Sequence, residues 1–108
     1  MIDEASYQKV SYDTLRRLER LFDDVDADRV DCESTGDVVT LAFAGGKRCV
    51  INTQRPTRQI WLAADARAWH FSYDEGTGEW RDDKGGQTEL FAKVAAIVAE
   101  LGGVVLGA

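Results

Sequence analysis

Between Glu19 and Glu33 the chain reads ERLFDDVDADRVDCE. Seven of its residues are acids: Glu19, Asp23, Asp24, Asp26, Asp28, Asp31 and Glu33, with Arg20 and Arg29 among them. Carboxylate oxygens are hard donors, suited to magnesium, calcium, manganese or iron rather than to soft metals. Like charges this close repel one another. Three uses fit such a stretch: holding a cation, docking on a basic surface, or simply solvating a helix end and turn. Asp24-Val-Asp26-Ala-Asp28 has the opening of an EF-hand loop, but Arg29 stands where that loop needs Gly. Thr35 stands where it needs a bidentate Glu, so the EF-hand reading fails.

Other reactive groups are sparse. His70 is the one histidine, so a Ser-His-Asp or Cys-His device would have to use it, and neither cysteine is placed by sequence to meet it. His70 itself is either an ordinary exposed histidine or a lone metal or haem ligand. Cys32 and Cys49 form no CxxC pair and lie among apolar neighbours. They are expected to be small, reduced core residues. Gly45-Gly46 and Gly85-Gly86 precede no GKS or GKT, so no phosphate loop is present.

The 108 residues carry a net charge of −6, with 44% hydrophobic and 30% charged residues. That composition suits one globular domain over residues 1–108. The negative charge argues against a nucleic-acid backbone or an anionic membrane as partner, and favours a cation or a basic protein surface. No apolar run reaches membrane-spanning length, and MIDEASYQKV lacks the basic and apolar regions of a signal peptide. Cytoplasmic location is the expectation.

Apolar spacing predicts a helix from about Ser6 to Asp24, with a stripe of Tyr7, Val10, Thr14, Leu18, Leu21, Phe22 and Val25. Glu19 and Asp23 then project from one edge of it, against the helix dipole. Alternation predicts strands around Val30 to Glu33, Val38 to Phe43, Arg48 to Thr53, Gln59 to Ala63, Trp69 to Tyr73 and Glu79 to Asp82, joined by tight turns. A second helix, from about Thr88 to Leu101, presents Leu90, Phe91, Val94, Val98 and Leu101 and stops at Gly102-Gly103. Trp69, Phe71, Trp80 and Phe91 are expected in the core. The order implies an α+β, two-layer sandwich, with two helices on one face of an antiparallel sheet of about six strands. Asn52, Gln54, Gln59, Trp61 and His70 are left on the other face. An exposed Trp61 reads as a protein-contact anchor, with Asn52, Gln54 and Gln59 as polar neighbours and Arg55 and Arg58 as a positive rim. The alternative is a sheet-face residue partly covered by Arg58 or a loop.

Several blocks together resemble the frataxin family, its bacterial members in particular. They are the acidic end of the first helix, Asp31-Cys32-Glu33, Ile51-Asn52-Thr53-Gln54, Pro56, and Gln59-Ile60-Trp61-Leu62-Ala63. An aromatic pair around His70 and a lone Trp80 before a Gly turn complete the match, which covers nearly the whole chain. The resemblance implies weak binding of Fe²⁺ or Fe³⁺ along the acidic ridge, with other divalent cations as competitors. It also implies a regulatory role in iron–sulfur cluster assembly through docking on the cysteine desulfurase and scaffold protein. The protein is expected to be a monomer that oligomerises at most with iron, and to act by binding rather than as an enzyme. The alternatives are an acidic interaction module without metal, or a weak ferroxidase or iron store. Arg20 and Arg29 depart from an uninterrupted acidic ridge. The apolar tail Val104 to Ala108 is expected to lie back between the helices, as longer tails in the family are thought to do.

Overall fold

The computed structural model describes residues 2–84 and 88–106. The elements run α1 (Glu4–Arg20), β1 (Val30–Thr35), β2 (Val38–Phe43), β3 (Arg48–Gln54), β4 (Gln59–Ala64), β5 (Arg67–Asp74), β6 (Glu79–Asp82) and α2 (Leu90–Gly102). The strands form one six-stranded sheet in chain order, with every neighbouring pair antiparallel. This is the expected α+β sandwich. The Gly85-Gly86 turn lies outside the described residues.

Strand periodicity sets the layers. Val39, Leu41, Phe43, Cys49, Ile51, Ile60, Leu62, Phe71 and Trp80 are buried on one face. Leu15 and Leu18 of α1 and Leu90, Val94, Ile97 and Val98 of α2 close over them. The stripe of α1 differs from the expected one. Ser11 and Leu15 are buried on it, whereas Val10, Leu21 and Val25 only flank the core. Trp69 and Phe91 are also flanking residues rather than core ones. Their rings are covered by cations: Arg67 and Lys93 lie 5.4 and 4.9 Å from the Trp69 ring, and Arg17 lies 4.7 Å from that of Phe91.

Helix α1 starts where Asp3 accepts a hydrogen bond from the Ser6 amide at 2.8 Å, an N-cap. It ends at Arg20, before the expected Asp24. The amides of Leu21, Phe22 and Asp23 instead donate to the carbonyls three residues back. Aspartates at a helix C-terminus oppose the dipole and compete for backbone partners, so the chain turns there. The turn still buries Phe22.

Two polar contacts fix α1 across the sheet. The Tyr7 hydroxyl donates to the Gln59 carbonyl at 2.7 Å and accepts from the Gln54 amide at 3.1 Å. Burial pushes the Tyr7 phenol up from its ordinary range. Thr14 Oγ1 accepts from the Trp80 indole N–H at 2.9 Å and donates to the Val10 carbonyl at 2.7 Å. At the other end of the core α2 comes so close that a Cβ on Gly102 would meet Phe43 at 2.9 Å and Val30 at 3.0 Å. Gly103, with φ of 64°, then ends the helix.

Beyond α2, Val104 and Leu106 return to the core while Val105 is 90% exposed. Leu106 shares a groove of roughly 630 Å³ with Arg17, Arg20, Leu21, Phe91, Ala92 and Ala95, so the tail reaches the space between the helices. Gly107 and Ala108 lie outside the described residues.

Thr14→Val keeps the side-chain shape but leaves the buried Trp80 N–H without its acceptor. The expected cost is about 1–3 kcal/mol, read as a lower denaturant midpoint at unchanged m-value.

Candidate functional site

The acidic stretch spans the end of α1, a loop and the edge strand β1. Glu19 lies in the last turn of α1, Asp23 and Asp24 in the turn after it, Asp26 and Asp28 in the loop, and Asp31 and Glu33 on β1. Asp26 shapes the loop: its Oδ1 accepts from the Asp28 amide at 2.9 Å. The Asp26 carbonyl accepts from the amides of Arg29 and Val30 at 2.9 and 3.1 Å, which delivers the chain into β1. This is an Asx turn, and it explains the Asp at that position without any ligand.

The seven acids do not form one patch. Glu19, Asp23 and Asp31 border a depression of roughly 380 Å³ with Phe22, Val30 and Cys32. Asp24 and Asp26 border a separate depression of roughly 550 Å³ with Arg20, Arg29 and the tail from Val104 to Leu106. The two arginines that interrupt the sequence therefore share space with one subset of the acids and leave the other alone. Asp28 is exposed in the loop, and Glu33 is exposed opposite Thr40 of β2. Among the described residues, Glu19 is the only one of the seven acids in an ion pair, 2.9 Å from Arg16 Nε at an angle short of a hydrogen bond. Arg16 also donates to Ser34 Oγ and the Gly36 carbonyl, tying α1 to the β1–β2 turn. Among the described residues no three His, Cys, Asp or Glu side chains converge as a metal cage. What the arrangement offers is a rim of exposed carboxylates to which water must contribute most of any coordination shell.

Cys32 belongs to this rim rather than to the core interior, where Cys49 alone is fully buried. Its thiol is pushed up to about 11, first by burial and then by the charges of Glu19, Asp31 and Asp23. Both cysteines are free thiols. Alternation between two acids puts Cys32 on the inner side of β1. Its half-buried place beside the acidic end of α1 follows from β1 being an edge strand, which the sequence did not signal.

The open face of the sheet carries the second group. Strand register sets Thr35, Val38, Asn52, Trp61 and His70 in one row across five strands. Trp61 is half-buried, and its cover is His70: the rings stack with centroids 4.2 Å apart and planes 15° apart. The indole N–H donates to Gln59 Oε1 at 2.9 Å. Gln59 Nε2 in turn donates to Ser72 Oγ at 3.2 Å and Asp83 Oδ2 at 3.1 Å. Asn52 lies across from Trp61, its amide donating to the Thr53 carbonyl. The backbone of Gln54 is held by Tyr7. Arg55 does not join the positive rim expected around Trp61, because its guanidinium pairs with Glu4 of α1 at 3.2 Å. Arg58 sits in the β3–β4 turn with φ of 53° and borders a small cavity with Ile2, Thr57, Ser72 and Tyr73. Trp61 is thus covered in part by the stacked ring of His70. Sequence phase put both rings on this face; that they touch follows from the register between β4 and β5.

A two-layer sandwich with an acidic rim at one edge and a stacked aromatic pair on its open face defines a recognisable class. Residues 1–103 match the model of the frataxin-like domain, and the chain belongs to the frataxin family. The iron-sulfur cluster assembly protein CyaY of Delftia acidovorans is 42% identical over 88 residues, covering 82% of this chain and 77% of that one. The protein of the same name from Pseudomonas aeruginosa is 37% identical over 102 residues, covering 94% and 93%. Among solved structures, the frataxin of Psychromonas ingrahamii superposes with a TM-score of 0.86 at 25% identity, covering 97% of this chain and 96% of its own. Trimeric frataxin from the yeast Saccharomyces cerevisiae, in a ferrous complex, gives a TM-score of 0.61 at 28% identity, covering 96% and 89%. Among the described residues, no helix is long and apolar enough to cross a membrane.

Thiolate is the form that alkylates, so the reaction of Cys32 with iodoacetamide is expected to accelerate with pH up to about 11. Glu19→Gln removes one of the raising charges and should speed the reaction at pH 8. The gain is expected to stay below about tenfold, because burial is the larger cause. Mass spectrometry of the Cys32 peptide measures both.

Proposed function

We propose that this protein binds iron loosely at its acidic rim and modulates iron–sulfur cluster assembly by docking on a cysteine desulfurase and its scaffold protein. In this reading it works in the cytoplasm as a monomer, and acts by binding rather than by turnover. One observation carries the iron assignment. Asp23 and Asp31 gather beside Glu19 with no ion pair of their own among the described residues, while Arg20 and Arg29 border the neighbouring depression. Exposed carboxylates suit a hard cation, and without a cage they hold it weakly and select poorly. Other divalent cations should therefore compete. The names of the bacterial relatives and the ferrous complex of the yeast neighbour support the same reading.

Docking would use both surfaces. The net charge of −6 steers the protein toward a basic partner. Trp61, with Asn52, Gln54 and Gln59 near it, offers a large aromatic contact of the type that dominates interface energy. Arg58 adds a cation at the margin of that face. A second reading keeps the docking and drops the metal: the acids serve only the basic partner. The lack of a converging ligand set among the described residues favours it. A ferroxidase or storage role would need a defined iron centre, and the rim offers only dispersed carboxylates.

Titration with Fe²⁺ under anaerobic conditions should broaden amide signals from Glu19 to Glu33, most strongly near Asp23 and Asp31, and leave those around Trp61 sharp. Broadening that spares the rim would sink the assignment. Asp23→Asn and Asp31→Asn should each weaken iron binding about fivefold or more, since a carboxylate at contact distance contributes roughly 1 kcal/mol even in water. Affinity for the desulfurase measured with and without iron separates the two readings, because the metal-free one expects no difference.

A further inference from the structure

The four residues Trp61, Gln59, Asp83 and His70 close a ring on the open face. The Trp61 N–H donates to Gln59 Oε1 at 2.9 Å, and Gln59 Nε2 donates to Asp83 Oδ2 at 3.1 Å. Asp83 Oδ2 then stands 3.8 Å from His70 Nδ1, and the His70 ring lies flat on Trp61 at 4.2 Å. The Gln59 amide has no freedom in this ring. Its oxygen must face an indole that only donates, and its nitrogen must face a carboxylate.

One link is incomplete. At 3.8 Å the Asp83 carboxylate is too far from a neutral imidazole for a hydrogen bond. It is close enough for an ion pair with an imidazolium. The stack changes in the same direction, since a flat cation over an indole face gains a cation–π attraction that the neutral ring lacks. Histidine is the side chain whose charge changes within the pH range of cells. Among the described residues, Arg81 of β6 is a further charged group on this face, and its guanidinium is engaged by Asp74 and Glu79. From β4 the ring meets Trp61, which is opposite it in register, and the neighbouring Gln59 is neutral. Asp83 is fixed to β5 by its own amide, which donates to the His70 carbonyl at 2.9 Å.

We propose that His70 is a positioning residue for Trp61, and that its protonation locks the indole in place by completing the ring through Asp83. Protonation then presents Trp61 as a preorganised anchor, and deprotonation loosens it. The consequence for partner docking rests on the function proposed above; the coupling between the two rings does not.

The test is an NMR titration of the free protein from pH 5 to pH 8.5, following the Trp61 indole N–H and the His70 ring signals together. The indole signal is expected to move with the same midpoint as the His70 ring and to sharpen on the acid side. Asp83→Asn should shrink that displacement, and His70→Phe, which keeps a stacked ring without a charge, should abolish it. An indole signal that ignores the His70 titration, or that moves as far in His70→Phe, overturns the proposal. In the binding assay, affinity for the desulfurase complex should be about two- to fivefold higher on the acid side, and His70→Phe should lose that dependence. If the wild-type protein fails to bind at any pH while the indole signal still follows His70, the docking function falls and the coupling stands.

Discussion

One face of the sheet is apolar from β2 to β6, and α1 and α2 are there to keep water off it. The rest of the molecule follows from that requirement. Two helices cover one side of a six-stranded sheet, so the other side and the β1 edge are left to solvent. The cover is registered by polar contacts as well as by apolar area. The Thr14–Trp80 and Tyr7–Gln59 hydrogen bonds are directional, and a buried donor without its partner is costly. They decide where along the sheet α1 sits, and so where its acidic end meets β1.

That meeting point holds charges that oppose one another and the helix dipole. The molecule answers in two ways. The helix stops at Arg20, which moves Asp23 and Asp24 off the helical carbonyls. Arg16 engages Glu19 and bridges to the β1–β2 turn, so the acid nearest the core is compensated. Asp23 and Asp31 are left facing water near the Cys32 thiol, and among the described residues no ion pair reduces their repulsion. A cation or a basic surface arriving there removes a cost that is already present.

The open face solves a different problem. An indole on a solvated sheet face exposes apolar area and a donor. Here the stack with His70 covers part of the ring, and Gln59 satisfies the donor. The result is an aromatic surface restrained by a stacked ring and one hydrogen bond. Preorganisation of this kind reduces the entropy lost when a partner binds. Arg55, which a linear reading puts beside Trp61, is drawn instead to Glu4 at the start of α1.

Much of this was legible without coordinates. Period-two alternation separates Cys49 and Ile51 from Asn52 and Gln54, and puts Trp61 and His70 out of phase with the core, because a strand's side chains must alternate. The helices were legible as amphipathic spacing, although Leu15 and Ser11 replaced Val10 and Leu21 on the buried side of α1. Clustering of acids was legible too, since it is a property of neighbours in the chain. Which acids stand together was not. Asp31 joins Glu19 and Asp23 because β1 lies beside α1, and Asp24 and Asp26 fall in with Arg20, Arg29 and the tail because the turn rotates them away. The Trp61–His70 stack likewise needed the β4–β5 register, and Asp83 the return of the chain along β6. Local periodicity reports which way a side chain faces. Only the packing of distant segments decides what it faces.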